Sequence, residues 1–117
     1  MTTTEVANRF NELAQEGKFE EILTELFADN AKSIEPAGAP FENVEGLDNI
    51  IAKGKKFHES IEEMHGGHTS QVMVAGNYFT CTMGMDITLK GMGRMQMDEV
   101  AVYKVENGKI VSEQFFF

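Results

Sequence analysis

From Tyr78 to Leu89 hydrophobic and polar positions alternate. Phe79, Cys81, Met83, Met85, Ile87 and Leu89 share one face, and Tyr78, Thr80, Thr82, Gly84, Asp86 and Thr88 share the other. Period two over such a length predicts a long strand with one buried side. The stretches His68 to Ala75, Arg94 to Val105 and Lys109 to Phe117 carry the same period. Their joins, Gly76-Asn77, Lys90-Gly91-Met92-Gly93 and Glu106-Asn107-Gly108, have hairpin chemistry. The second half of the chain therefore predicts a four-stranded antiparallel meander.

The first half reads with the helical period. Thr2 and Glu5 fit a capping box, after which Val6, Phe10 and Leu13 recur at spacings of four and three until Gly17. A second stripe, Phe19, Ile22, Leu23, Leu26 and Phe27, runs to Asp29-Asn30. Ala31 to Ile34 reads as a short strand, and the prolines and glycine of Glu35 to Pro40 exclude helix there. Leu47, Ile50, Ile51, Phe57, Ile61 and Met64 predict a third helix ending at Gly66-Gly67. Three helices must cover one face of the sheet, which makes residues 1–117 a single α+β domain.

Composition narrows the function. Nineteen acids against ten bases give a net charge of -9, which repels nucleic-acid phosphates and anionic membrane surfaces. No apolar run approaches the ~20 residues a spanning helix needs, and Met1 to Glu5 lacks the start of a secretory leader, so a cytoplasmic location is expected. The single cysteine, Cys81, reads as a small buried hydrophobe. Five of the eight methionines, Met83, Met85, Met92, Met95 and Met97, crowd around one hairpin. Methionine fills irregular space and tolerates loosely shaped ligands, so Met83, Met85 and Met97 are candidate pocket lining.

The order of elements, with the segments Leu26-Phe27-Ala28-Asp29-Asn30-Ala31, Glu35-Pro36-Ala37-Gly38, Val44-Glu45-Gly46-Leu47-Asp48-Asn49-Ile50 and Val102 to Val111, resembles the nuclear transport factor 2-like superfamily. That group includes steroid delta-isomerases, SnoaL-type polyketide cyclases, scytalone dehydratase and limonene epoxide hydrolase. The resemblance spans nearly the whole chain. It implies a cone-like, strongly bent sheet around the helices, with a pocket in its mouth and dimerisation through the outer sheet face. Because the fold hosts enzymes and non-enzymes, it does not fix an activity.

Glu35 is the leading candidate for chemistry. It precedes a proline, which favours extended backbone, and lies among Ile34, Pro36 and Ala37. A carboxylate partly desolvated in such surroundings is a better base near neutral pH. The resemblance implies the same role, since the steroid isomerase-like branch has an aspartate before a proline here that moves a proton between carbons. The branch's oxyanion donors are missing, however. Its first-helix tyrosine corresponds to Phe10, a pocket residue without a donor, and its strand acid to Val100 or Ala101. Steroid isomerisation itself is therefore not expected.

Parity offers other polar groups. If Met95 and Met97 face inward, Glu99 and Tyr103 do as well, and Tyr103 could replace the donor absent at Phe10. On the last strand Val111, Glu113, Phe115 and Phe117 form the expected pocket face, with Glu113 a second candidate for a raised pKa. The sites proposed are thus Glu35, Tyr103 and Glu113 for catalysis, and Phe10, Met83, Met85, Met97, Glu99, Phe115 and Phe117 for ligand contact. His65 and His68 read as surface turn residues rather than metal ligands, and His58 as exposed or capping. Proton transfer by such a site needs no cofactor and no metal. The expected partner is a small hydrophobic carbonyl compound; the alternative is a non-catalytic binding or dimerisation module. Phe116, with Tyr78, Thr80 and Thr82, is expected to supply a homodimer contact.

Overall fold

The computed structural model describes residues 1–117. Helix α1 (Thr3–Gln15) starts at the expected capping box: the Glu5 amide donates to Thr2 Oγ1 (3.2 Å) and the Thr2 amide to Glu5 Oε1 (2.9 Å). It ends before Gly17, whose φ of 73° only glycine adopts freely. Helix α2 (Phe19–Leu26) hands over directly to strand β1 (Phe27–Ile34). The short β2 (Val44–Glu45) precedes α3 (Leu47–Ser60). Strands β3 (Ile61–Thr69), β4 (Met73–Ala75), β5 (Tyr78–Leu89), β6 (Gly93–Glu106) and β7 (Lys109–Phe116) complete the chain.

The strands form one open sheet in the order β2-β1-β7-β6-β5-β3, with β4 extending β5 beyond β3. Neighbours are antiparallel except β1 and β7, which run parallel. The α+β class and the bent sheet packed on three helices hold, while three boundaries differ from the sequence pattern. Helix α2 stops before Phe27 rather than at Asp29-Asn30, because Phe27 has already turned into extended backbone (φ -85°, ψ 141°). Helix α3 ends at Ser60 rather than Gly66-Gly67. Ile61 and Met64 mimic a helical stripe but belong to an edge strand whose register slips twice against β5, which erases its period of two. The strand expected at His68 to Ala75 is accordingly split between β3 and β4.

The long strand behaves as its alternation requires. Phe79, Cys81, Ile87 and Leu89 are buried, and Met83 and Met85 are half-buried beside them. On β6 the inward set runs Met95, Met97, Glu99, Ala101, Tyr103, Val105. One core joins α1, α2 and the sheet: Phe10 lies 4.7 Å from the Tyr103 ring and 5.1 Å from Phe79, while Phe79 and Tyr103 stack at 4.9 Å. Burial of these three rings contributes on the order of 2 kcal/mol each. Helix α3 buries only Ile50, so it stands off the sheet and leaves space beneath it. No helix is long and apolar enough to cross a membrane.

Candidate active site

The space under α3 is a cavity of about 620 Å³, within the usual range for small-molecule sites. Its floor is the tilted ring pair of Phe10 and Tyr103. Helix α2 contributes Phe19, Ile22 and Leu23, and α3 contributes Ile50, Lys53 and Phe57. The sheet adds Met83, Met85, Met97, Glu99, Glu113 and Phe115. Phe41, from the segment after β1, packs edge-on against Phe57 at 5.3 Å and closes one side.

Of the sequence-predicted site residues, Glu35, Tyr103, Glu113, Phe10, Met83, Met85, Met97, Glu99 and Phe115 all line this one space. Phe117 does not. Strand β7 ends at Phe116, and Phe117 runs past the last sheet pair with half its surface exposed. Val111 also misses the inward face. A register slip beside Lys104 and Val105 puts Ile110 there instead, fully buried. His65 donates to or accepts from Thr88 Oγ1 at 2.8 Å, and no cluster of His, Cys, Asp or Glu is spaced to hold a metal ion. His58 and His68 border the cavity as exposed residues.

A polar network crosses one wall. Lys53 Nζ donates to Ser33 Oγ (2.6 Å) and to Glu35 Oε1 (3.0 Å), and Ser33 Oγ donates to Glu113 Oε1 (2.9 Å). The lysine and glutamate side chains are 17% and 7% exposed, so this ion pair is shielded from solvent. The Glu35 amide donates to Asn43 Oδ1 (2.6 Å), which ties the segment after β1 to the site. Lys53 and Ser33 were not singled out by the sequence. The only signal in the chain is positional: Lys53 lies three residues after Ile50 and four before Phe57 on the inward stripe of α3. Ser33 alternates with Ala31 and Glu35.

Burial sets the proton affinities. Glu113 is 8% exposed, and desolvation raises its carboxyl to about 7 against the lowering effects of Ser33 and Lys53. Desolvation and then the Glu35 charge raise Glu99 to about 7, with Lys53 opposing. Tyr103 is pushed well above the ordinary phenol value by burial and by Glu113, so it stays protonated. Its hydroxyl has no partner in the fold, yet no fully buried side-chain oxygen or nitrogen lacks one. That hydroxyl therefore opens onto the cavity. Cys81, raised to about 11 by burial, is an inert thiol. The arrangement can hold an apolar molecule while offering one carboxylate, one neutral hydroxyl donor and two carboxyls that exchange protons near neutrality.

The SnoaL-like domain family matches residues 1–117. A structure described as a putative SnoaL-like polyketide cyclase [carbohydrate phosphatase] from Mesorhizobium loti shares 34% identity. The match covers 100% of both chains with a TM-score of 0.94. A cystatin-like-fold protein of unknown function from Xanthomonas campestris is 19% identical over 99% of this chain and 90% of its own, with a TM-score of 0.79. A hypothetical protein with a ketosteroid isomerase-like fold from Catenulispora acidiphila, in complex with trimethylamine, is 18% identical. It covers 99% of this chain and 87% of its own, with a TM-score of 0.73. The last two establish the fold alone. No curated protein matches the sequence. With the family matched end to end and a full-length neighbour above 30% identity, the chain belongs to the SnoaL-like domain family.

Proposed function

We propose that the protein is a cofactor-independent enzyme of the isomerase or cyclase type acting on a hydrophobic carbonyl compound. Glu35 removes a proton from a carbon next to the carbonyl. The C–H bond breaks, its electron pair moves into an enolate, and charge collects on the oxygen. Tyr103 and the protonated form of Glu113 donate to that oxygen, where preorganised donors act most strongly. Return of the proton from Glu35 to another carbon isomerises the substrate; alternatively the enolate carbon attacks a second carbonyl, whose π bond breaks as the ring closes, and the alkoxide formed takes the proton from Glu35.

The observation that carries this reading is the convergence of Glu35, Tyr103 and Glu113 on one cavity whose lining is mostly hydrophobic. Burial favours neutral Glu113 and Tyr103, which is the state a donor needs. A non-catalytic ligand carrier is the second reading, favoured by the contact that already occupies Glu35 Oε1.

Deuterium exchange separates the two. A panel of hydrophobic ketones is incubated with protein in D₂O and followed by NMR, with apolar-dye displacement reporting binding. Exchange that is lost in Glu35→Gln while binding persists is the expected result. Binding without any exchange would leave only the carrier.

A further inference from the structure

Glu99 is the charged group of the cavity that neither the proposed proton transfer nor the Lys53 network employs. It faces inward from β6 opposite Met83 on β5, with Met97 two residues away on the same face. Lys53 is the only lysine or arginine lining the cavity, and its ammonium is already directed at Ser33, Glu35 and the Glu42 carbonyl, all within 3.5 Å. Three carboxyl groups therefore share one cation, and Glu99 is left without a hydrogen-bond or ion-pair partner. Leaving a half-desolvated carboxylate unpartnered is costly, and whatever supplies the partner recovers that cost.

A second observation points the same way. Four residues along the strand from Glu99, the Tyr103 hydroxyl is 2% exposed by residue, unpartnered, and turned into the cavity. The fold thus presents two unmet polar groups to one apolar space. The remaining walls, Phe27, Phe57 and Phe115 among them, offer ring faces and edges. A protonated amine on an apolar body satisfies both kinds of surface, because ammonium pairs with carboxylate and packs favourably against aromatic rings. A carboxylate ligand would instead bring another carboxyl group into a space that already holds three carboxyls and one ammonium.

We propose that Glu99 selects a ligand carrying a protonated amine over neutral and anionic ligands of the same shape. This rests on the reading that the cavity is the ligand site, and it adds the charge of the substrate to that reading. The titratable groups facing the same space are Glu35 after β1, Lys53 and His58 from α3, His68 from β3, Tyr103 from β6 and Glu113 from β7. Cys81 on β5 lies close by, and α1 and α2 bring no charge. Among these, Glu35 raises the Glu99 carboxyl and Lys53 lowers it, while burial dominates and holds it at about 7. A cation binds the ionised form, so its affinity rises as pH climbs through that value.

The test compares 2-phenylethylammonium, 2-phenylethanol and 3-phenylpropanoate by NMR titration, in the wild-type chain and in Glu99→Gln. At about pH 8 the ammonium should bind roughly tenfold more tightly than the alcohol, a charge-assisted contact's worth, and the carboxylate most weakly. At about pH 6 that advantage should shrink as the carboxyl takes up its proton. Glu99→Gln should bring the ammonium-to-alcohol ratio close to one, with a cooperative melt showing that the variant folds. An unchanged ratio in the variant, or an alcohol that binds best at both pH values, would overturn the role of Glu99 and leave the cavity reading standing. Failure of all three probes to bind would overturn both.

Discussion

Replacing Glu113 by glutamine removes one titration from the centre of the protein while keeping its shape. The glutamine carbonyl can still accept from Ser33 Oγ, which donates to Glu113 Oε1 at 2.9 Å. In the folded chain the Glu113 carboxyl titrates at about 7, against an ordinary value of 4.5. Between those values the folded chain holds a proton that the unfolded chain has released. The stabilising contribution is therefore complete below about pH 4.5 and is lost as pH rises to about 7. The difference corresponds to about 3 kcal/mol. Urea unfolding of wild type and Glu113→Gln across this range measures it. Groups the two proteins share cancel, apart from Glu35 and Glu99, which couple directly to Glu113. Relative to wild type, the variant should gain about 3 kcal/mol between about pH 5 and about pH 8. Parallel stability curves would show that Glu113 binds its proton equally in both states, and would refute the argument from burial.

Three further outcomes follow from the same contacts. Lys53→Met orphans a shielded carboxylate and should cost about 3 kcal/mol at neutral pH by urea unfolding, with partial recovery in acid as the carboxyl groups protonate. Phe10→Ala deletes a ring that is 1% exposed and packed on Tyr103 and Phe79, and should cost about 3 kcal/mol while enlarging the cavity for bulkier dyes. Association through the outer sheet face remains the expectation for Phe116, which pairs with exposed Val100, itself opposite Thr82. Light scattering should then give twice the 13.0 kDa chain mass, and Phe116→Lys should halve it; a wild-type monomer at micromolar concentration would remove the contact.

Strand alternation carried most of what the sequence disclosed. Tyr78 to Leu89 and Arg94 to Val105 face as their parity requires, because both pair without interruption over most of their length. That parity brought Met83, Met85, Met97, Glu99 and Tyr103 to one wall. It failed where pairing slips: at β3, whose irregular edge passed for helix, and at Val111, displaced by the irregularity opposite Val105. Phe117 lies beyond the end of β7, so no strand carries the alternation to it. Lys53 escaped notice because a lysine on an inward stripe looks like a solvated residue until its partner is known. That partner, Glu35, is separated from it by the whole segment from Pro36 to Ala52, and only the tertiary fold closes the distance to 3.0 Å.

The most direct measurement is a crystal structure of the protein with a hydrophobic ketone bound at about neutral pH. The proposed chemistry predicts the ketone oxygen within about 3 Å of the Tyr103 hydroxyl or the Glu113 carboxyl, with its neighbouring carbon turned toward Glu35. A ketone lying with its oxygen at the mouth and its hydrocarbon end against Glu35 would contradict proton transfer at this site.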